Sequence, residues 1–119
     1  MMRRIEGKYK NLMKGVALSV NGIPVRLTFE RWNHIAENHN DMAGFYYDVL
    51  ETISGPKWIF EGDGDELWAV RPVSDKKVLL VIYRESKEQN DGFIITAFIT
   101  TQLKKLQKRR LIWQQPQHQ

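Results

Sequence analysis

The sequence predicts an α+β domain: two helices, preceded by a β-hairpin, laid on a four-stranded antiparallel sheet and followed by a basic C-terminal helix. Three observations predict it. Apolar residues recur at helical spacing as far as Ile53, the pattern turns extended after Pro56, and the extended segments are joined by short polar turns. A chain of 119 residues with 42% hydrophobic and 11% aromatic content builds one core. The expected organisation is a single domain over residues 1 to 113 and a disordered tail over 114 to 119.

Taken in order, "VALSVNGIPVRL" sets Asn21-Gly22 between two β-branched segments, a pairing suited to a type I′ hairpin turn. Pro24 has no N–H to donate, so its strand is expected at an edge. Thr28 is placed to cap a helix starting at Phe29, and Asn40 or Asp41 to cap a second. In the second, Tyr46, Val49, Leu50 and Ile53 share one face, and Ser54-Gly55-Pro56 ends it. Four strands follow: "KWIFE", "ELWAVRP", "KVLLVIYRE" and "FIITAFIT". The unbroken apolar run Val78 to Ile82 marks the third as central and covered on both faces. Leu103 and Leu106 at helical spacing in "TQLKKLQKRRLIW" predict the closing amphipathic helix. The terminal "QQPQHQ" has no apolar anchor, which sets His118 aside.

The net charge of +4 is unevenly spread. Residues 1 to 14 carry +4 and residues 104 to 119 carry +5, leaving −5 on the stretch between them. Basic ends of this kind hold a polyanion near the molecule, while a specific pocket must use the few cations of the body. No apolar run is long enough to span a bilayer, so no membrane partner and a cytoplasmic location are expected. With no cysteine there is no disulfide framework and no thiolate metal site.

The candidate chemistry lies in "RWNHIAENH". At 100° per residue Phe29, Trp32, Ile35, Ala36 and His39 share the apolar side, and His34 projects roughly opposite. On the last strand Phe93, Ile95, Ala97 and Ile99 form an apolar face suited to the helices. Ile94, Thr96, Phe98 and Thr100 form a mixed face suited to a ligand. Arg71, and one of Tyr83 and Arg84, are candidates to join that mixed face. Imidazole, guanidinium and hydroxyl together suit transphosphorylation of RNA. Imidazole moves protons near neutrality, a guanidinium grips two phosphoryl oxygens, and a hydroxyl orients the phosphate. This chemistry requires no metal or other cofactor. A metal site at His34, His39 and Asp41 is disfavoured, because ligands five apart on a helix do not share a face and no His-Glu-x-x-His pattern exists.

The ordered pieces "RLTFERWNHIAENHNDM", "VLETISGPKWIF", "LWAVRP", "KVLLVIYRE" and "FIITAFITT" resemble the phage-associated branch of the ribonuclease superfamily that links barnase, EndoU, the colicin tRNases and RelE-type toxins. The resemblance covers roughly residues 25 to 113 and rests on Trp32-Asn33-His34-Ile35 with His39, on Pro56, and on Thr96-Ala97-Phe98. It differs at Asn38-His39-Asn40-Asp41, where relatives carry a basic residue before the second histidine and Pro-Glu after it. The resemblance implies metal-independent RNA cleavage by a nuclease-like domain, with His34 or His39, Arg71 or Arg84, and Thr96 as catalytic candidates. Tyr83, Arg84, Phe98 and Thr100 are the substrate-binding candidates. The expected function is a toxin-like or phage-derived endonuclease of RNA, tRNA included, that leaves 2′,3′-cyclic phosphate, with an antitoxin or immunity protein as the partner to look for. The competing reading is a non-catalytic module that binds RNA or a protein.

Overall fold

The computed structural model describes residues 15–117 of the chain. The basic segment 1–14 and His118 lie outside the described residues. A hairpin of β1 (Val16–Leu18) and β2 (Pro24–Arg26) leads to α1 (Phe29–Asn38), a single 3₁₀ turn (Asn40–Met42) and α2 (Tyr46–Ser54). Then come β3 (Trp58–Glu61), β4 (Leu67–Pro72), β5 (Val78–Ser86), β6 (Asp91–Thr100), one helical turn α3 (Leu103–Leu106) and β7 (Leu111–Gln114).

The α+β class is observed, but the sheet is larger than the four antiparallel strands expected. It has seven strands in the order β1-β2-β6-β5-β4-β3-β7. The predicted meander β3 to β6 is its antiparallel centre. The hairpin joins it through a parallel pairing of β2 with β6, at Val25 with Gly92 and Arg26 with Phe93, which makes the sheet mixed. Pro24 therefore sits on an inner strand rather than at an edge. It is tolerated because it is the first residue of β2, ahead of the ladder to β6.

The basic C-terminal helix is likewise one turn long, and "LIWQ" returns as β7 to pair antiparallel with β3. Gln114, expected to start a disordered tail, ends that strand, and the Gln115 N–H donates to the Lys57 carbonyl at 2.9 Å. Among the described residues no helix is long and apolar enough to cross a membrane.

The hairpin turn also differs from type I′, which needs two positive φ angles. Only Gly22 has one (φ 76°), and the Gly22 N–H closes the turn onto the Ser19 carbonyl at 2.9 Å. Thr28 caps α1 as expected, its Oγ1 accepting the Arg31 N–H at 3.1 Å. The second cap does not form: Asn40 and Asp41 belong to the 3₁₀ turn, and α2 starts after Phe45 with no side-chain cap.

Each face of the sheet has its own core. On the helix face Val25, Ile35, Met42, Val49, Leu50 and Ile53 pack over Leu79, Val81, Tyr83 and Ala97. On the opposite face Phe60, Val70, Val78, Leu80, Ile82 and Leu106 form a smaller cluster. All six residues from Val78 to Tyr83 are buried, as a strand covered on both faces requires. Phe29, expected on the apolar stripe of α1, is instead 78% exposed, because the first turn overhangs the sheet and the packed stripe begins at Trp32.

Candidate nucleic-acid interface

His39 follows the last residue of α1, and its N–H donates to the Ile35 carbonyl at 2.9 Å. The helix ends before it, so its non-helical backbone (φ −135°, ψ 89°) releases the side chain from the helical wheel that would have turned it onto the helix-face core. β2 pairs with β6 only at Gly92 and Phe93, so the later part of β6 has no strand on that side. There the His39 ring stacks on Phe98, with centroids 5.5 Å apart and planes 30° from parallel.

Phe98 in turn lines a cleft of about 320 Å³ on the opposite face, together with Trp68, Thr100, Gln102, Lys105 and Arg109. Four elements build it. β4 brings Trp68, β5 brings Leu80, β6 brings Phe98 and Thr100, and α3 with the residues after it brings the cations. The Trp68 indole N–H donates to Glu66 at 3.1 Å, and the Arg109 guanidinium lies 3.8 Å over its ring. Arg109 is fixed further by Asp63 at 3.1 Å and by the Glu61 carbonyl at 3.2 Å. Gly62 leaves the space that the indole fills, since a Cβ at this position would overlap it. The Thr100 hydroxyl accepts the Gln102 N–H at 3.1 Å, which leaves its own proton for a ligand. Lys105 is exposed and has no ion-pair partner among the described residues. The next residue, Arg110, grips both oxygens of Glu61 at 3.2 Å, and this hydrogen-bonded charge holds the Glu61 carboxyl below its ordinary range.

The remaining candidates are placed as follows. His34 is exposed on α1 in a small depression shared with Thr28, Glu30 and Arg31, with no residue of the sheet. Arg71 pairs across the strands with Leu79, so it lies on the helix face, where α2 holds it through Asp48 at 2.9 Å and Glu51 at 3.3 Å. Tyr83 is fully buried in the helix-face core, and its hydroxyl has no hydrogen-bond partner among the described residues. Burial, helped by the nearby Glu85 charge, pushes that phenol far above its ordinary value. Thr96 lies opposite Ile82 and Arg84 opposite Phe93, both on the face that carries the cleft. The structure thus brings Phe98 and Thr100 together in the cleft, with His39 stacked on Phe98 outside the cleft lining. It sets Thr96 and Arg84 further along the same face, and it separates His34, Arg71 and Tyr83 from them.

The strand alternation is also corrected. Between Ile82 and Tyr83 the register slips, so Ile95 is an extra residue in β6. Thr96, Phe98 and Thr100 keep the face expected of them, whereas Ile94 packs with the helix-face core and Phe93 moves to the cleft side. Trp68, Lys105 and Arg109 are the site residues that the sequence reasoning missed. For Lys105 and Arg109 the signal was the charge run "KKLQKRR", which could be located only once β7 was known to return to β3, and for Trp68 it was an aromatic residue in "ELWAVRP" whose face depended on the register.

Comparison of the chain with protein-family models, with curated proteins and with solved structures finds no match.

Proposed function

We propose that the chain is a metal-independent RNA endonuclease that works from this cleft, with His39 as its proton carrier. The supporting observation is the His39–Phe98 stack, which sets an imidazole against the ring lining a cleft that also holds a hydroxyl and two cations. In the reaction the 2′-oxygen attacks phosphorus and loses its proton. The bond from phosphorus to the 5′-oxygen breaks and that oxygen gains a proton, leaving a 2′,3′-cyclic phosphate and a 5′-hydroxyl. An imidazole performs either transfer. Arg109 and Lys105 stabilise the charge growing on the phosphoryl oxygens, and Thr100 donates to one of them. Phe98 and Trp68 offer π surfaces against which an unstacked base packs.

The test is incubation with total RNA and with tRNA in EDTA. The wild type and His34→Ala are expected to cleave alike and to leave cyclic-phosphate ends, while His39→Ala loses cleavage but keeps binding. Equal cleavage by all three overturns the assignment. The withdrawal of Arg71 into its pairing with Asp48 and Glu51 favours a second reading, a non-catalytic RNA-binding module on the same surface. That reading is distinguished by salt-sensitive binding with no cleavage.

A further inference from the structure

We infer that Phe93 and Arg84 form a second nucleotide subsite for single-stranded RNA, on the same sheet face as the cleft. This rests on the RNA reading above and adds to it the kind of RNA bound. Plain alternation would turn Phe93 into the helix-face core. The extra residue Ile95 reverses it, and Phe93 is left 45% exposed on the cleft side. A bulge that carries a large aromatic ring out of a core gives up apolar burial, so the ring's presence on the surface asks for an occupant.

Phe93 has an arginine as register partner on each side, Arg84 on β5 and Arg26 on β2. Arg26 is tied to Asp91 at 2.8 Å, whereas Arg84 is exposed and has no ion-pair partner among the described residues. Arg84 and Phe93 line a separate cleft of about 200 Å³ with Ser86, Gln89, Gly92 and three carboxylates, Asp65, Glu85 and Asp91. Asp91 is paired with Arg26 and Glu85 accepts from the Asn21 side-chain amide, which leaves Asp65 to accept from the amines of a base while Arg84 holds its phosphate.

Phe93 and Phe98 are separated by four regular strand steps, roughly 13 Å at ~3.3 Å each. A stacked single strand advances about 3.4 Å per nucleotide, so roughly four nucleotides bridge the two rings, fewer if unstacked. In a duplex the base faces are already stacked inside the helix and reach neither ring.

The experiment is fluorescence anisotropy with a labelled single-stranded decanucleotide and with an RNA duplex of equal length, using wild type, Phe93→Ala, Phe93→Trp and Lys105→Ala. Phe93→Ala is expected to weaken single-strand binding about tenfold, the size of one lost base–aromatic stack, and to leave duplex binding unchanged. Phe93→Trp is expected to restore it, which separates lost stacking from lost folding. If Lys105→Ala weakens binding and Phe93→Ala does not, the second subsite is refuted and the RNA reading stands. If the wild type binds neither RNA, the RNA reading itself fails and the subsite falls with it.

Discussion

Replacing Arg109 by alanine tests both the build of the cleft and its use. Three contacts are lost: the guanidinium over Trp68 at 3.8 Å, the bond to the Glu61 carbonyl at 3.2 Å and the ion pair with Asp63 at 3.1 Å. A cation over an aromatic face contributes about 0.5–2 kcal/mol according to its desolvation, and the Arg109 side chain is one-third exposed, which places it mid-range. The carbonyl bond adds about 1 kcal/mol. The ion pair adds little, because Asp63 is 75% exposed and exposed pairs are worth less than about 1 kcal/mol. The expected loss is about 2 kcal/mol in urea unfolding, nearly independent of salt because the ion pair is its smallest part. On RNA the same substitution removes one phosphate contact, so the slope of log affinity against log salt falls by about 0.7 for a single strand. Arg109→Lys is expected to keep most of the salt slope and to lose stability, since an ammonium cannot reproduce the planar stack and fork. Unchanged stability in the alanine variant would refute the stacking argument. An unchanged salt slope would refute the assignment of Arg109 to phosphate.

Two further predictions concern groups outside the cleft. Tyr83→Phe removes a buried hydroxyl with no partner among the described residues, and is expected to stabilise the fold by about 1 kcal/mol in urea unfolding. A loss of more than about 1 kcal/mol in that assay would mean that the hydroxyl is satisfied. Glu61 titrates below the ordinary glutamate range because Arg110 binds its charged form. Its contribution to stability is therefore present above the unfolded-state pKa and lost as pH falls through the lower folded value. Carboxyl NMR titration is expected to find the Glu61 midpoint depressed in the wild type and raised in Arg110→Gln. Identical midpoints would refute the pairing.

The parts of the fold governed by local pattern were legible in the sequence. The Thr28 cap, the apolar face Val49, Leu50 and Ile53, and the two-sided burial of Val78 to Ile82 each follow from neighbours within one or two turns or along one strand. What was not legible depends on residues far apart in the chain. The parallel pairing of β2 with β6 joins Val25 to Gly92, and the return of β7 joins Trp113 to Ile59. Nothing local in "PVR" or "LIWQ" names those partners. In the site, Phe98 and Thr100 were recognisable from residue type and strand alternation, and His39 from residue type alone. Arg71 was assigned to the wrong face because its register with Leu79 was unknown.

The bulge at Ile95 links these two kinds of information. Side chains alternate along a strand with a period of two, so one inserted residue exchanges the faces of everything on one side of it. β6 uses that exchange to bury Ile94 beside Tyr83 and to present Phe93 beside Arg84, while Phe98 and Thr100 keep their place at the cleft. A regular β6 would put Ile94 on the surface and press Phe93 into the helix-face core. The sheet face would then end at Thr96, with one aromatic-and-cation site where it now has two. The second site therefore depends on the register that pairs Phe93 with Arg84 as much as on Phe93 itself. Deleting Ile95 joins Ile94 to Thr96 in the present register, so plain alternation then keeps Ile94 on the helix face and Phe93 on the cleft face, and the variant is expected to retain the single-strand affinity that Phe93→Ala loses. A deletion variant that lost single-strand affinity as Phe93→Ala does would show that this register does not set the direction of Phe93.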